Sequence, residues 1–224
     1  MTLIDFRVSP KTVQQQTAEK LREAILTGVF KPGDRLLEAE LCEMLGVSRP
    51  SVREALRSLE AERLVSIVPN KGPHIPVLTW ERATEIYKVR ALLEGEAASL
   101  AAQFATDVSI KKMRVALNVF EKAARGADAA AEVSSTADFY AEILRSCANS
   151  IIEEMLSGLL ARVNYLRARS MSMPGRAKVS LKEMKAILEA IESRDGEAAR
   201  RAAIYHVEQA YASAHEAYKR ERSE

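Results

Sequence analysis

Apolar residues near the start of the chain recur at helical spacing in three short segments. The first runs from Thr12 towards Gly28, the second has the sequence EAELCEMLG, and the third has the sequence RPSVREALRSLEAE. In the third segment the apolar positions follow the order i, i+3, i+4 and i+7. They are Val52, Ala55, Leu56 and Leu59. The pattern predicts three short helices, of which the first ends at Gly28 and the third buries one apolar face.

The connections between these segments carry residues typical of turns. Only Gly46, Val47 and Ser48 separate the second helix from the third, which predicts a tight turn. The Ser48 hydroxyl is expected to cap the third helix, and Pro50 is tolerated because first-turn amides have no acceptor within the helix. Beyond the third helix, two β-branched stretches flank residues 70–72, Asn-Lys-Gly, which predicts a hairpin.

After residue 79 the pattern changes to long, alanine-rich amphipathic segments broken by Asp, Asn, Gly and Pro. Six helices are expected, over 80–104, 107–125, 131–148, 150–170, 179–193 and 196–220. The fold class is therefore mainly α, with an N-terminal winged helix-turn-helix and a C-terminal antiparallel helical bundle. We expect residues 1–78 to bind DNA and residues 79–224 to bind a ligand and to dimerise.

Composition changes this picture little. The 224 residues carry 33 Lys and Arg against 31 Asp and Glu, so net charge alone does not indicate a nucleic-acid partner. Cys42 and Cys147 lie far apart on apolar helical patterns, which favours two buried thiols. The sequence has neither a signal peptide nor a run of about 18 apolar residues, so a cytoplasmic protein without membrane contact is expected.

The third predicted helix presents a basic face opposite its apolar one. Arg49, Arg53 and Arg57 follow each other at four-residue steps. Arginine makes two parallel hydrogen bonds to guanine, so Arg49 and Arg53 are candidates for reading bases. Ser48 and Ser51 stand at the helix start, where hydroxyls and amides favour a DNA phosphate.

A simpler alternative is that these arginines only solvate a helix face and pair with Glu54 or Glu60, as surface charges usually do. The order of elements favours DNA binding over that alternative. Turn, cap, apolar face, arginine row and hairpin follow one another within about 40 residues, as in a major-groove reader. The tip residues Lys71 and Gly72 would then approach the DNA backbone.

Residues 12–78, including the stretch VSRPSVREAL, resemble the winged helix-turn-helix of the GntR family of transcription regulators. The resemblance implies a homodimer that binds short palindromic operators. It also implies that seven residues lie near DNA. They are Arg35, Ser48, Arg49, Ser51, Arg53, Lys71 and Gly72.

Most of residues 80–215 resembles the FadR-type ligand-binding domain of that family, a bundle of six or seven helices. Many such domains hold a divalent metal through one Asp and three His. In this sequence the matching positions are Thr136, Tyr140, Met184 and His206, so only the last ligand is retained. Threonine, tyrosine and a thioether are poor donors for such an ion, and we expect neither metal nor cofactor.

A metal-free pocket is expected at the same positions. Thr136, Tyr140 and His206 supply hydrogen-bonding groups, Met184 supplies an apolar wall, and Arg90 could bind a carboxylate of a small effector. Residues 162–167 supply further candidates, among them Arg162 and Arg167, which could equally be surface charges.

The alternative for this pocket is that His206 and Tyr140 are satisfied core residues, that Met184 fills space, and that Arg90 pairs with Glu94 one turn along its helix.

The sequence thus predicts a DNA-binding repressor controlled by a small metabolite, expected to be an organic acid. A di-metal enzyme would need Glu three residues before His on two helices, and none of the three histidines has that spacing, so no enzyme is expected. The other alternative is a ligand-independent dimeric DNA-binding protein whose helical domain only dimerises.

Overall fold

The computed structural model of the chain describes residues 11–26 and 29–221. The chain divides into two compact units between Val77 and Leu78, one residue before the boundary expected from the sequence. The predicted end of the first helix at Gly28 lies outside the described residues. Within the described ranges, no helix is both long and apolar enough to cross a bilayer.

The first unit contains three helices and a two-stranded hairpin among its described residues. These elements are α1 (Val13–Leu26), α2 (Glu38–Leu45), α3 (Arg49–Ala61), β1 (Ser66–Val68) and β2 (Gly72–His74). The strands are antiparallel, with Ser66 opposite His74 and Val68 opposite Gly72. The segment before α2 adds to the free side of β2, because the Leu36 amide donates to the Pro73 carbonyl at 2.8 Å. This extra pairing ties the hairpin to the helices.

The apolar face of α3 forms the core of this unit, as predicted. Its residues Val52, Ala55, Leu56 and Leu59 are buried. Leu41 of α2 and Leu36 before it are buried as well. Gly46 ends α2 in the left-handed conformation, with φ +65°, which suits a residue without Cβ.

Two local expectations are wrong. Ser48 is the N-cap residue of α3, but its side chain makes no capping hydrogen bond, because its Oγ pairs with Ser51 Oγ at 3.0 Å instead. Cys42 is only partly buried, while Cys147 is buried as expected. Both thiols are free.

The described part of the second unit contains seven helices. They are α4 (Trp80–Phe104), α5 (Asp107–Gly126), α6 (Ala129–Ser146), α7 (Ser150–Ser157), α8 (Leu160–Met171), α9 (Arg176–Glu192) and α10 (Gly196–Glu221). The single helix expected over 150–170 is therefore wrong, because the chain turns at Gly158 and Leu159. Glycine is a poor helix former, and the two halves pack differently: α7 against α4 and α6, and α8 mainly against α10.

Helices α4 and α10 pack along most of their length through small side chains. Ala97 and Ala101 of α4 and Ala199 and Ala203 of α10 are completely buried. At Gly95 the helices approach so closely that an added Cβ would lie 2.8 Å from Ile204 Cγ1. This close packing fixes α4, which carries part of the candidate site described below. The mainly α fold class predicted from the sequence is confirmed.

The close approach at Gly95 predicts a matched pair of substitutions. Gly95→Leu should lower the free energy of unfolding by about 3 kcal/mol, because it overpacks the α4–α10 contact. Gly126→Leu, where an added Cβ meets nothing within 4 Å, should change it by less than about 0.5 kcal/mol. Urea unfolding of both variants measures the difference. Equal effects would show that the two helices do not pack as described.

Candidate DNA interface and candidate effector site

Three arginines lie on the exposed face of α3, and they differ in their ion-pair partners. Arg53 Nε donates to both carboxylate oxygens of Glu38 on α2, at 3.0 and 2.9 Å. Arg57 pairs with Glu54 at 2.9 Å, which is one of the simple surface pairs considered from the sequence. Arg49 has no ion-pair partner within residues 11–26 and 29–221. Exposed pairs of this kind contribute about 0 to 1 kcal/mol, so a phosphate or base can replace the carboxylate.

The two serines at the start of α3 differ in exposure. Ser48 is exposed, whereas Ser51 is buried and shares its hydrogen bond with Ser48. Ser51 is therefore placed to hold the Ser48 hydroxyl rather than to offer its own side chain to a phosphate. The sequence could not distinguish the two, because both lie in the first turn.

The remaining three residues of the predicted interface lie together at the hairpin. The backbone of Arg35 forms an isolated antiparallel β-bridge with His74 of β2. The Arg35 guanidinium lies beside Gly72, where an added Cβ would be 3.8 Å from Arg35 Nη2. Gly72 has φ +78° and Lys71 at the tip is exposed. One basic side chain from the α1–α2 connection thus joins the hairpin tip.

The second unit buries an unusual number of charges in its interior. Six ionisable side chains from α4, α8, α9 and α10 form a buried charge cluster. They are Arg90, Glu94, Arg167, Arg176, Glu183 and His206. Burying an ion is costly unless it is paired and hydrogen-bonded, so the partner of each group has to be identified.

Arg90 and Glu94 pair one turn apart on α4. Arg90 Nε donates to Glu94 Oε1 at 2.7 Å. Burial by itself lowers the pKa of Arg90, but the neighbouring Glu94 carboxylate outweighs it and raises the pKa. Burial likewise raises the pKa of Glu94, but the Arg90 and Arg167 guanidinium groups together outweigh that effect and lower it. Both groups are therefore charged. This is the alternative considered from the sequence, in which Arg90 pairs with Glu94 one turn along its helix.

Arg176, Glu183 and His206 form a second buried set. Arg176 donates two hydrogen bonds to Glu183, both at 2.7 Å, and His206 Nδ1 lies 2.7 Å from Glu183 Oε2. Burial lowers the pKa of His206, so the neutral ring donates its Nδ1 hydrogen to the carboxylate. Sequence reasoning missed Arg176 and Glu183. Their spacing of seven residues along α9 was a usable signal, but long charged side chains are usually exposed.

Arg167 on α8 is the exception in the cluster. It is 3% exposed, yet its Nη1 donates to the neutral Asn164 amide oxygen, at 2.9 Å. Its guanidinium carbon lies 4.9 Å from the Tyr140 ring centroid, and its Nε has no partner within the described ranges. Burial lowers the pKa of Arg167 to about 10, with Glu94 acting in the opposite direction. At neutral pH it remains a buried cation, and it makes no ion pair within residues 11–26 and 29–221.

A cavity of about 150 Å³ lies beside this unpaired cation. Its polar lining includes Arg167, Tyr140 and Glu94, and Val163 and Leu156 are among its apolar residues. The Tyr140 hydroxyl has no hydrogen-bond partner in the described part of the chain. Burial raises the pKa of Tyr140, so this hydroxyl keeps its hydrogen and can donate it.

The other residues predicted for the pocket do not line this cavity. Thr136 donates its hydroxyl to the Glu132 carbonyl at 2.8 Å, and Met184 is fully buried in the apolar core. His206 is bonded to Glu183, Arg90 to Glu94, and Arg162 is partly exposed on α8. Of the residues named from the sequence as pocket candidates, the cavity brings together Tyr140 and Arg167.

The residues present do not fit a divalent metal. The Thr136 hydroxyl is used by its own helix, Met184 offers only a thioether, and the Nδ1 of His206 is taken by Glu183. Within the described ranges, no group of three or more His, Cys, Asp or Glu side chains could surround an ion. We therefore derive no chemistry through a metal at this site.

Because Arg176 is paired and Arg167 is not, substitutions at the two positions should change the free energy of unfolding by unequal amounts. Arg176→Met should lower the free energy of unfolding by about 3 to 5 kcal/mol, because it leaves Glu183 buried without its cation. Arg167→Met should change it by less than about 1 kcal/mol, because the loss of one hydrogen bond is offset by removal of an unpaired buried charge. Urea unfolding at neutral pH compares the two. Equal losses would contradict the assignment of Arg167 as the unpaired cation.

Comparison with known proteins agrees with this architecture. Residues 13–75 match the family described as bacterial regulatory proteins, gntR family, and residues 85–209 match the FCD domain. An uncharacterized HTH-type transcriptional regulator of Bacillus subtilis, YdhC, is 29% identical over 90% of this chain and 91% of its own length. The galactonate operon transcriptional repressor of Escherichia coli is 29% identical over 82% of this chain and 89% of its own length.

Solved structures give the same result for the fold. The Escherichia coli protein McbR/YncC superposes with a TM-score of 0.83 over 93% of this chain and all of that chain, at 24% identity. A GntR regulator from Rhodococcus sp. RHA1 gives a TM-score of 0.75 over 90% of this chain and 96% of that chain, at 25% identity. The chain is a transcriptional regulator rather than an enzyme, and it belongs to the GntR family, with an FCD domain as its helical unit.

Proposed function

We propose that this regulator is a cytoplasmic homodimeric repressor that binds a palindromic operator and releases it when a small organic acid occupies the helical unit. The observation that supports the effector half of the proposal is Arg167, a buried cation that lines a cavity and makes no ion pair in the described part of the chain. Burying such a cation without an anionic partner costs free energy, and an anionic ligand would supply that partner.

The DNA half of the proposal rests on α3 and the hairpin. Arg49 and Arg53 are exposed on the same side of α3, where they can reach base edges in the major groove. Ser48 can contact a phosphate at the helix start, with Ser51 holding it, and Arg35, Lys71 and Gly72 can contact the neighbouring backbone. Without DNA, Arg53 is hydrogen-bonded to Glu38, and on binding a DNA group would replace Glu38 as its partner.

Helix α4 connects the cavity with the start of the helical unit, where the chain divides. Glu94 lines the cavity, and Trp80 begins the same helix, about 21 Å away at 1.5 Å per residue. Trp80 stacks on His215 of α10, with ring centroids 4.5 Å apart. A ligand that shifts Glu94 can therefore move the helix end that follows the division between the units. The effect on DNA binding is set by the difference in ligand affinity between the two states.

The competing proposal is a ligand-independent protein whose helical domain only dimerises. The cavity and its unsatisfied polar atoms favour the sensor, because a purely structural core has no reason to bury an unpaired arginine.

The DNA half predicts the effect of removing the two base-reading arginines. Arg49→Ala with Arg53→Ala should weaken binding to the selected operator by about 100-fold or more, because each bidentate contact is worth about 1–3 kcal/mol. Fragments of the source genome captured on the purified protein at about 150 mM salt would supply that operator, and titration of labelled DNA would give both affinities.

A double variant with the same loss of charge serves as the control for this measurement. Arg82→Ala with Arg114→Ala removes two exposed cations from the helical unit and should change operator affinity by less than about threefold. Equal losses in both double variants would mean that net charge, and not base contacts, governs binding. Absence of any enriched palindrome would refute specific operator recognition.

A further inference from the structure

We infer that a basic groove between α5 and α9 binds an acidic helical segment of another protein. The basic groove belongs to the helical unit, and four basic side chains line it: Arg125, Lys178, Lys182 and Lys185. It shares no lining residue with the effector cavity, so this inference goes beyond the proposed function and does not depend on it.

Positive charge is concentrated on the two helices that form the basic groove. Together α5 and α9 carry nine basic and five acidic residues, whereas the rest of residues 79–224 carries 13 basic and 16 acidic residues. A cleft lined by charges of one sign focuses the electrostatic field and attracts groups of the opposite sign. The expected partner is therefore acidic.

Two ion pairs show how α5 and α9 lie against each other. Arg114 pairs with Glu192 at 2.5 Å, and Glu121 pairs with Lys185 at 3.2 Å. Because the position on α9 falls as the position on α5 rises, the two helices are antiparallel. The basic groove lies where α5 approaches its end and α9 begins.

The cations of the basic groove outnumber its carboxylates. Glu121 is the one carboxylate among its described lining residues, and it already pairs with both Arg125 and Lys185. Lys178 and Lys182 are exposed and make no ion pair in the described part of the chain. Two further anionic groups can therefore approach these lysines without displacing a partner.

Other carboxylates near the two helices do not neutralise these lysines. Glu183 is buried and paired on α9, Glu192 pairs with an arginine of α5, and Asp128 caps α6. Glu189 is exposed but does not line the basic groove. The excess positive charge thus remains available to a partner.

The spacing of the lysines favours a helix as the occupant. Lys178, Lys182 and Lys185 stand at i, i+4 and i+7 on one side of α9, over about 10 Å at 1.5 Å per residue. Three carboxylates on one face of another helix have the same spacing. A phosphate group instead needs donors that converge on one point, and it would be repelled by Glu121.

The floor of the basic groove favours a protein over nucleic acid. Ala124 and Leu181 are half-buried there and pack against the apolar core. An apolar side chain of a bound helix can contact both residues, as in other helix-in-groove complexes, whereas a DNA backbone has no such side chain. The volume of about 410 Å³ leaves room for several side chains.

Charge also argues against a second copy of this chain as the occupant. In a two-fold contact the same surface meets itself, so the cations of the two basic grooves would oppose each other. An acidic segment of a different protein has no such repulsion.

The test measures binding of two labelled peptides to the full-length protein by fluorescence anisotropy. Both are helical, about 20 residues long, and identical in composition. One carries glutamates at i, i+4 and i+7 with leucine between them on one face, and the other has the same glutamates spread around the helix. We expect the first peptide to bind about fivefold or more tightly than the second, and both to weaken as salt rises.

Two double variants with equal loss of charge locate the binding. Lys178→Gln with Lys182→Gln should weaken binding of the first peptide about fivefold or more. Lys111→Gln with Lys112→Gln removes two exposed lysines of α5 outside the basic groove and should change it less than about twofold. Glutamine keeps the helical propensity of lysine, so both variants are expected to fold.

Four results would overturn the inference. Equal binding of the two peptides, or equal losses in the two double variants, would show that net charge alone attracts the peptide. Tighter binding of inorganic triphosphate than of the first peptide would assign the basic groove to phosphate. Weaker operator binding by Lys178→Gln with Lys182→Gln would assign it to DNA. A change in oligomeric state of that variant, measured by analytical ultracentrifugation, would assign it to a second copy.

Discussion

Burial of an arginine requires a partner for its charge and acceptors for its hydrogens, and this requirement organises the helical unit. Arg90 meets it within a single helix through Glu94, and Arg176 meets it through Glu183, which is also bonded to His206. Arg167 meets it only in part, through an amide and an aromatic ring. The positions of α4, α8, α9 and α10 are thus tied to one set of charges, and the incomplete member of the set lies beside the cavity.

The same requirement bears on the four positions where the family resemblance implied metal ligands. A divalent ion in such a site supplies a concentrated positive charge that holds oxygen and nitrogen ligands together. In this chain the positive charge comes from guanidinium groups that carry their own counter-ions. The retained His206 then acts as a hydrogen-bond donor to Glu183. A small acid would meet hydrogen-bond donors in place of a metal ion.

Tight helix packing holds this arrangement in place. Alanines and Gly95 allow α4 and α10 to approach closely, and the long α4 carries Glu94 near its middle and Trp80 at its start. Glu94 and Trp80 therefore lie on one continuous helix that is packed against α10. In the DNA-binding unit the exposed arginine pairs are weak, so partner exchange on α3 has little cost.

The sequence alone determined those features that depend on neighbours along the chain. The apolar period of α3, the turn at Gly46 and the hairpin were all predicted, because period and turn chemistry are local properties. The family resemblance likewise named the fold and the altered metal positions. Besides the Ser48 cap and the burial of Cys42, the break at Gly158 was missed, because a single glycine inside an amphipathic pattern does not by itself end a helix.

Only the tertiary structure decided which side chains meet in the helical unit. Of the pocket candidates named from the sequence, the cavity contains Tyr140 and Arg167. Sequence reasoning overlooked Arg176 and Glu183 and could not tell Arg167 from a surface charge, because a charged residue on a helix looks the same in sequence whether it is exposed or buried. Pairing across helices is set by how α4, α8, α9 and α10 pack, and that packing leaves Arg167 beside the cavity with no ion-pair partner among the described residues.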